Sequence, residues 1–243
     1  MSLPYLSIVL PAYNEERRLP HTLEQIFSFL REQDLHAEVL IVENGSTDRT
    51  YAIAQEYAGK HPNVEVIREG RPGKGNAVRR GMLAARGAYR FMCDADLSMP
   101  IRELSKFLPY GSGEFDIAIA SREVKGSVRF HEPYYRHLGG RLVNLAIRLL
   151  ILPGLHDTQC GFKCFRSEVA EDLFRYQTIP GWSFDIELLF IARKRGYRIR
   201  EVPINWYFDA DTKLRAVKDA LLMLRDIFCI HVKNLRGRYD PQD

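Results

Sequence analysis

The sequence predicts an α/β protein with a mostly parallel, doubly wound β-sheet and helices on both faces. Apolar runs of strand length alternate with segments of helical length, and a strand buried on both faces is typically a continuous apolar run. The runs are LSIVLPA (6–12), EVLIV (38–42), VEVI (64–67), YRFMC (89–93) and DIAIAS (116–121). Polar residues directly follow most of these runs, as expected where ligands bind at the carboxyl ends of parallel strands.

The helical segments of this first part begin near Glu15, Thr47, Gly75 and Ile101. From about residue 133 the pattern changes to a helix over 136–152, a short GFKCF segment, a helix in SFDIELLFIARKRG, a strand in RIREVPINWY and a terminal helix over 214–236. No repeat or clear linker separates the two parts, so we expect residues 1–243 to form a single domain.

Composition excludes several classes of protein. The chain has 243 residues, of which 46% are hydrophobic, and its net charge of +4 suits anionic substrates or an anionic membrane surface without calling for nucleic acid. No apolar run reaches the ~18 residues of a spanning helix. The first apolar segment breaks at Pro11, which argues against a signal peptide, and the four cysteines lack the spacing of a zinc site. We therefore expect reduced thiols in a protein that is soluble or lies on a membrane surface.

Two aspartates, Asp94 and Asp96, follow the run YRFMC with one alanine between them. Side chains alternate along a strand, so both carboxylates project to the same side, where they repel each other unless a cation lies between them. A solvated surface turn is the alternative, but isolated carboxylates are costly to desolvate directly after a buried strand. The pattern favours a hard cation, Mg²⁺ or Mn²⁺, held by these carboxylates and by phosphate oxygens of a ligand.

Two segments between the first strands also suggest ligand contacts. Glu43 ends an apolar strand and could accept a hydrogen bond from a nucleobase or a ribose, while Ser46 or Thr47 in the following turn is a candidate helix N-cap. The segment RPGKGNAVRRGM (71–82) lacks the GxxxxGKS/T and GxGxxG fingerprints. Lys74 nevertheless lies between two glycines at a predicted helix start, where free N–H groups favour an anion.

Three segments of the second part each admit two interpretations. In the 136–152 helix the polar residues His137, Arg141, Asn144 and Arg148 form one stripe, which is typical either of a core helix with one wet edge or of a helix lying in a membrane interface. The segment 156–166 is a polar loop of unknown purpose when taken alone. Asp185, at the start of the next helix, could simply complement the helix dipole.

Seven motifs occur in order along the chain: PAYNEE, VENGSTD, GKGNAVRRGM, DADLSMP, ASR, DTQCGFKCF and WSFDIELLFIA. Together they resemble the family 2 glycosyltransferases of GT-A fold, specifically the branch of dolichyl-phosphate glucosyltransferases and polyprenyl-phosphate mannose synthases. The resemblance runs from about residue 6 to 207. It implies a GT-A (Rossmann-like) sheet with C-terminal acceptor-side helices, and an inverting, Mg²⁺- or Mn²⁺-dependent transfer of one hexose from a nucleotide sugar to a polyprenyl or dolichyl phosphate.

The resemblance also implies roles for individual residues. Residues 1–125 would form the nucleotide-binding half, and residues 126–243 the acceptor-binding half with its membrane-surface helices. The residues expected to bind the nucleotide sugar are Pro11, Tyr13, Glu15, Glu43, Lys74, Asp94, Asp96 and Lys213, with Asp94 and Asp96 as metal ligands. The residues expected on the acceptor side are Arg122, Arg136, Asp157, Gln159 and Trp182. The catalytic candidates are Asp96, Arg122, Arg136 and Asp185.

The expected acceptor, a lipid phosphate, is already ionised near neutral pH and therefore needs a strong base less than a hydroxyl acceptor does. Arg122 and Arg136 suit such a phosphate because a guanidinium donates two parallel hydrogen bonds. We expect UDP-glucose as the donor and a peripheral position at the cytoplasmic face of a membrane. The alternatives are GDP-mannose as donor, a soluble transferase that uses Asp185 as base on a hydroxyl acceptor, a silent nucleotide-sugar-binding module, and a nucleotidyltransferase.

Overall fold

The chain is built around a seven-stranded β-sheet. A computed structural model describes residues 3–108, 115–209 and 216–241. The strands are β1 (Leu6–Ala12), β2 (Ala37–Glu43), β3 (Val64–Arg68), β4 (Tyr89–Met92), β5 (Ile117–Ser121), β6 (Val128–Phe130), β7 (Lys163–Arg166), β8 (Ile199–Pro203) and β9 (Asn205–Tyr207). The helices are α1 (Leu19–Glu32), α2 (Thr50–Lys60), α3 (Lys74–Ala84), α4 (Tyr134–Leu150), α5 (Ser167–Tyr176), α6 (Phe184–Lys194) and α7 (Ala216–Leu235), with a 3₁₀ helix over Ile101–Phe107.

The strand order of the large sheet is β3-β2-β1-β4-β7-β5-β8. Neighbouring strands are parallel except at β7, which is antiparallel to both β4 and β5. The order reverses between β1 and β4, which makes this pair a topological switch point, the place where open α/β sheets bind ligands. The remaining strands, β6 and β9, pair with each other in a small parallel sheet.

Each face of the large sheet is covered by its own hydrophobic core. Along β1, Ile8 and Leu10 face a core shared with α1 and the 3₁₀ helix, whereas Val9 faces a core shared with α3, α5 and α6. This alternation follows from the period of two in a strand. Because both faces are covered, all seven residues of β2 are buried, which explains why the predicted strands are continuous apolar runs.

The predicted strands and most of the predicted helices are confirmed, with several differences. Strand β6 was not predicted, and the helix predicted near Ile101 is a 3₁₀ helix. The segment RIREVPINWY is two strands rather than one, since β8 ends at Pro203, which has no N–H to continue the ladder. Helix α5 was not predicted, because it follows β7 without a glycine, a proline or a side-chain cap. The prediction of Ser46 or Thr47 as an N-cap is wrong: α2 begins at Thr50, whose N–H donates to Asp48 Oδ1 at 2.9 Å.

Helix α4 exposes its apolar arc instead of packing that arc in the core. The exposed apolar side chains are Tyr134, Tyr135, Leu138, Leu142, Leu145, Leu149 and Leu150. Asn144, from the polar stripe, is buried, and so is Ile147. The interpretation of α4 as a core helix with one wet polar edge is therefore wrong.

Helix α7 also exposes apolar side chains, at Leu221, Leu224 and Phe228, whereas Ile227 is buried. The side chain of Val217 lies outside the described residues. Over the three described ranges, neither α4, α7 nor any other helix combines the length and the apolarity needed to cross a bilayer.

Candidate active site

The loops that follow β1 and β2 are joined by side-chain hydrogen bonds. Asn14 has a positive φ of 52° and its N–H donates to Ser46 Oγ at 3.0 Å, while its own Oδ1 accepts from Thr47 N at 2.8 Å. The next N–H, of Glu15, donates to Thr50 Oγ1 at 2.7 Å. These bonds fix one edge of the site, and Tyr13 lies on it with 48% of its surface exposed.

Glu43 lies beneath this edge. It is 1% exposed, its Oε1 accepts the backbone N–H of Ser46, and its Oε2 is 3.4 Å from Arg68 Nε. The carboxylate therefore shapes the turn, and its contact with a nucleoside stays a prediction. Pro11 is half-buried in β1 opposite Val42.

The glycine-rich segment before α3 is held by Asn44, a residue that the sequence analysis treated only as part of a turn. The Asn44 side chain donates to Glu69 O at 2.9 Å and to Arg71 O at 2.8 Å, and it accepts from Gly73 N at 2.9 Å. Gly73 has a φ of 122°, and a Cβ there would lie 2.3 Å from Pro180 O. Only glycine fits this position, and it places Lys74 as the first residue of α3.

Lys74 points at the aspartates that follow β4. Its Nζ is 2.6 Å from Asp94 Oδ1 and lies 5.0 Å from the centre of the Trp182 ring. Burial lowers the pKa of Lys74, but the carboxylates of Asp94 and Asp185 outweigh it and hold the pKa above its ordinary value. The charged form of the ammonium group is thus favoured, and a charged ammonium group can bind an anionic ligand.

Asp94 and Asp96 lie together, as predicted. Asp94 is half-buried, and Asp96 is exposed with its Oδ1 accepting from Ser98 N at 2.9 Å. Leu97, which directly follows Asp96, has a positive φ of 45°. Backbone strain of this kind clusters at functional sites. Desolvation by the surrounding protein, followed by repulsion from the Asp94 carboxylate, raises the pKa of Asp96.

A divalent cation would relieve that repulsion, so the donor set fits Mg²⁺ or Mn²⁺. Residues 3–108, 115–209 and 216–241 hold no group of three or more potential metal-ligating side chains. Two carboxylates would thus supply part of the shell, and ligand phosphate oxygens and water the rest, which is the usual arrangement for Mg²⁺.

Gly161, in the loop before β7, gives Asp94 its space. A Cβ at Gly161 would lie 2.0 Å from Asp94 Oδ2, a distance that no real contact allows. We expect Gly161→Ala to push the Asp94 carboxylate aside and to lower the rate of a reaction catalysed at this site by roughly 10- to 100-fold, since a shift of about 1 Å at a reacting centre has such effects.

The matched control for this change is Gly140→Ala in α4. A Cβ at Gly140 meets nothing within 4 Å, and alanine favours a helix. Steady-state rates and thermal melting of both variants check the prediction. An unchanged rate for a folded Gly161→Ala protein would show that Asp94 does not need this position.

A groove of about 600 Å³ opens beside Asp96. Its lining includes Arg17, Arg18, His21 and Gln25 from the start of α1. Arg18, which the sequence analysis missed, contacts Asp209 Oδ2 at 2.7 Å. This contact links the start of α1 to the residues that follow β9. Lys213, predicted in that same region, lies outside the described residues.

Arg122, at the end of β5, and Asp157 form a bidentate pair in which Asp157 is buried and the Arg122 side chain is 22% exposed. Asp157 is fully buried and accepts three bonds from Arg122: from Nε at 2.6 Å, from Nη2 at 2.9 Å and from the backbone N–H at 3.0 Å. Burial raises the pKa of Asp157, but Arg122 outweighs it and holds the pKa below its ordinary value. Two of the three guanidinium nitrogens are thus already engaged.

Arg136 is placed near Arg122 through two aromatic rings. Arg122 lies 5.4 Å from the centre of the Trp206 ring and Arg136 lies 5.2 Å from that of Phe208, with 6.1 Å between the two ring centres. Gln159 is half-buried in the loop between Asp157 and β7. The two arginines are therefore linked through a pair of neighbouring aromatic rings.

Asp185 is not merely a helix cap. It is 4% exposed, and its Oδ1 lies 2.8 Å from Nζ of Lys163, which is 1% exposed on β7. Burial raises the pKa of Asp185, and the ammonium groups of Lys163 and Lys74 oppose this. Lys163 was not among the predicted site residues, although a lysine inside the apolar segment GFKCF indicates a special role.

Comparison with known proteins identifies the family of this chain. The model of the family described as "Glycosyl transferase family 2" matches residues 7–174. A dolichyl-phosphate beta-glucosyltransferase of Dictyostelium discoideum is 32% identical over 248 residues, covering 96% of this chain and 76% of the relative. The human protein of the same name is 33% identical over 251 residues, covering 96% of this chain and 77% of the relative.

Solved structures show the same fold. The crystal structure of glucosyl-3-phosphoglycerate synthase from Mycobacterium tuberculosis in complex with UDP superposes with a TM-score of 0.66 at 23% identity, over 99% of this chain and 82% of that one. This likeness confirms the predicted GT-A fold. The family match covers the strand ends that carry Asn44, Lys74, Asp94, Asp96 and Arg122. This chain accordingly belongs to glycosyl transferase family 2 and is a glycosyltransferase.

Proposed function

We propose that the protein transfers glucose, with inversion, from UDP-glucose to a polyprenyl or dolichyl phosphate, with the help of Mg²⁺ or Mn²⁺. The observation that carries the proposal is the cluster of Lys74, Asp94 and Asp96 at the switch point between β1 and β4. The choice of sugar and acceptor is supported by the names of the relatives, which are dolichyl-phosphate beta-glucosyltransferases.

On the donor side, Asp94 and Asp96 would hold the cation, which when bound supplies positive charge next to the leaving diphosphate. Lys74 Nζ, now 2.6 Å from Asp94, lies where it can turn to a diphosphate oxygen. An ammonium group next to a developing negative charge stabilises that charge and so lowers the barrier. Tyr13, Glu15 and the turn after β2 would border the nucleoside.

On the acceptor side, Arg122 and Arg136 would bind the lipid phosphate. Asp157 holds Arg122 Nε and Nη2, so the guanidinium is fixed in orientation before the phosphate arrives. A phosphate oxygen is ionised at neutral pH and attacks without a strong general base. Asp185, fixed against Lys163, would line the sugar pocket and accept hydrogen bonds from the hexose.

The function is tested with the purified protein, UDP-glucose or GDP-mannose labelled in the sugar, and polyprenyl phosphate in detergent. We expect glucose to enter the lipid fraction only with UDP-glucose, only with Mn²⁺ or Mg²⁺, and not with unphosphorylated polyprenol. Transfer from GDP-mannose would contradict the proposed donor, and transfer to the polyprenol would contradict the proposed acceptor. Full activity in EDTA would contradict the proposed need for a metal ion.

We further propose that the protein works on the cytoplasmic face of a membrane, in contact with the bilayer through α4 and α7. The exposed leucines of α4 lie beside the basic residues Arg141 and Arg148, a combination typical of helices that bind anionic interfaces. The buried free thiols of Cys93, Cys160 and Cys164 suit a reducing compartment.

Two glutamates introduced together, Leu142→Glu and Leu145→Glu, are expected to weaken binding to liposomes that contain anionic lipid by at least about tenfold, because each removes apolar area and adds repulsion. The side chains are 60% and 47% exposed, so melting temperature should hardly change. Leu3→Glu is the control, since Leu3 is 74% exposed just before β1, at the edge of the sheet opposite the site. Flotation assays measure the difference, and equal binding by all three proteins would contradict the docking surface.

A further inference from the structure

Lys163 is a fully buried cation near the middle of the sheet. It is 1% exposed, and its neighbours on the adjacent strands are Met92 and Ile119, both with no exposed surface. It shares the face of β7 with Phe165, and that face packs against the core that includes α6. An ammonium group in such surroundings is costly unless specific groups compensate its charge.

Two groups provide that compensation. Lys163 Nζ donates to Cys160 O at 2.6 Å and lies 2.8 Å from Asp185 Oδ1, in the first turn of α6. The charge of Lys163 also acts on Asp157, and the charge of Lys74 acts on Asp185. Opposite charges thus alternate from the acceptor side to the donor side of the site, in the order Arg122, Asp157, Lys163, Asp185, Lys74 and Asp94.

Stability alone does not explain this arrangement. Replacement of a buried ion pair by apolar residues of similar volume is often neutral or stabilising, so an ion pair is not the best way to fill the space. What an ammonium group at a fixed place in a sheet can do is hold a nearby carboxylate in one orientation. Asp185 lies between this ammonium group and the Lys74–Asp94 pair, where the donor's sugar would bind.

We propose that Lys163 is a positioning residue of the transfer reaction, which holds the Asp185 carboxylate in the orientation that the donor's hexose requires. This inference rests on the proposed function. Lys163 itself touches neither substrate. It acts through Asp185, and the hydroxyl groups of the bound hexose are the ligand that Asp185 accepts.

The test compares kcat, the Kd of UDP and the melting temperature for Lys163→Met and for the wild type. We expect kcat to fall roughly 100-fold, as for other misplaced groups. The Kd of UDP should stay unchanged, because the loops after β1 and β2 do not depend on Lys163. Arg90→Met is the matched control: Arg90 is a buried cation on β4 that donates to Met82 O at 2.6 Å, and its loss should lower the melting temperature but not kcat.

A double-mutant cycle separates positioning from support of the fold. In the Asp185→Asn background, Lys163→Met should change kcat no further. The single variant Lys163→Arg keeps the positive charge, so its kcat should be higher than that of Lys163→Met. The neutral double variant also covers the case in which Lys163→Met alone fails to fold. Wild-type kcat in Lys163→Met or in the double variant, or an equal loss with and without Asp185→Asn, overturns the proposal.

One further measurement distinguishes this inference from the proposed function. If the wild type transfers no glucose to polyprenyl phosphate, the proposed function fails, but a crystal structure of the Lys163→Arg or Lys163→Met protein still tests the positioning. A displaced Asp185 carboxylate in Lys163→Met, restored in Lys163→Arg, supports it. An Asp185 carboxylate that stays in place in Lys163→Met overturns it.

Discussion

Replacement of Asp96 by asparagine is expected to lower the rate of glucose transfer by roughly 1000-fold, the scale on which a lost charge-stabilising group acts at a reacting centre. The amide keeps the size of the carboxylate and its acceptor bond from Ser98 N, now 2.9 Å long. It loses the negative charge that attracts a divalent cation. Initial rates over a range of Mn²⁺ concentrations measure both the loss and any rise in the metal concentration required.

The control for this change is Asp34→Asn. Asp34 is exposed in the turn after α1 and has a positive φ of 48°, a conformation that asparagine tolerates. It should leave rate and stability unchanged. The Asp96→Asn protein should itself melt at the wild-type temperature or above, because removal of the charge relieves the repulsion from Asp94. A rate within about threefold of wild type would remove Asp96 from the metal site.

Removal of Arg122 is expected to give the largest loss of stability. Arg122→Met leaves Asp157 fully buried without the two hydrogen bonds that it now accepts from the guanidinium, and loss of one partner of a buried pair costs about 3–5 kcal/mol. The backbone N–H of residue 122 stays, so the lower end of this range applies if that bond persists. Urea unfolding at pH 7 measures the change in the free energy of unfolding.

Arg198→Met is the matched control, because Arg198 uses the same three nitrogens on Asp116, at 2.8, 3.2 and 3.3 Å. Its side chain is 59% exposed, so its loss should cost much less stability than the loss of Arg122. Arg122→Met combined with Asp157→Asn should recover much of the lost stability. Equal losses in the free energy of unfolding for Arg122→Met and Arg198→Met would show that the burial of Asp157 does not add to the cost of breaking the pair.

The pair also predicts a dependence on pH. The pKa of Asp157 is lower in the folded protein than the ordinary value of 3.8, so the unfolded chain binds a proton first as the pH falls. The stabilisation is complete above that ordinary value and is lost as the pH falls from it through the folded pKa. Urea midpoints of the wild type and of Asp157→Asn, measured at pH 6 and at about pH 3, should therefore converge at the lower pH.

The strand ends were predictable because a doubly buried parallel strand leaves a long apolar run, and polar residues after it are conspicuous. Asp94, Asp96 and Arg122 follow such runs, whereas Lys74 was selected because it lies between two glycines at a predicted helix start. The same pattern does not show which carboxylates are already committed to protein partners. Glu43 is an example, since its role in the Ser46 turn depends on a contact that no spacing predicts.

Lys163 and Gly161 illustrate what local patterns miss. Their roles depend on residues more than twenty positions away, Asp185 for Lys163 and Asp94 for Gly161, and thus on the strand order. The exposure of the apolar side of α4 was harder to predict, for another reason. Helical periodicity divides a helix into a polar and an apolar side, but only the packing decides which side is covered, and here Asn144 is covered while Leu142 is 60% exposed.

The reversed direction of β7 has a consequence for how the chain finds its native alignment. A slip of β7 by one residue along β4 and β5 would exchange its two faces, and Lys163 would then face the aromatic rings of Phe91 and Phe107 instead of meeting Asp185. In such a misaligned sheet the ammonium group of Lys163 would be buried in the apolar core without a charged partner. The contact of Lys163 with Asp185 therefore favours the native register of β7 over a slip by one residue.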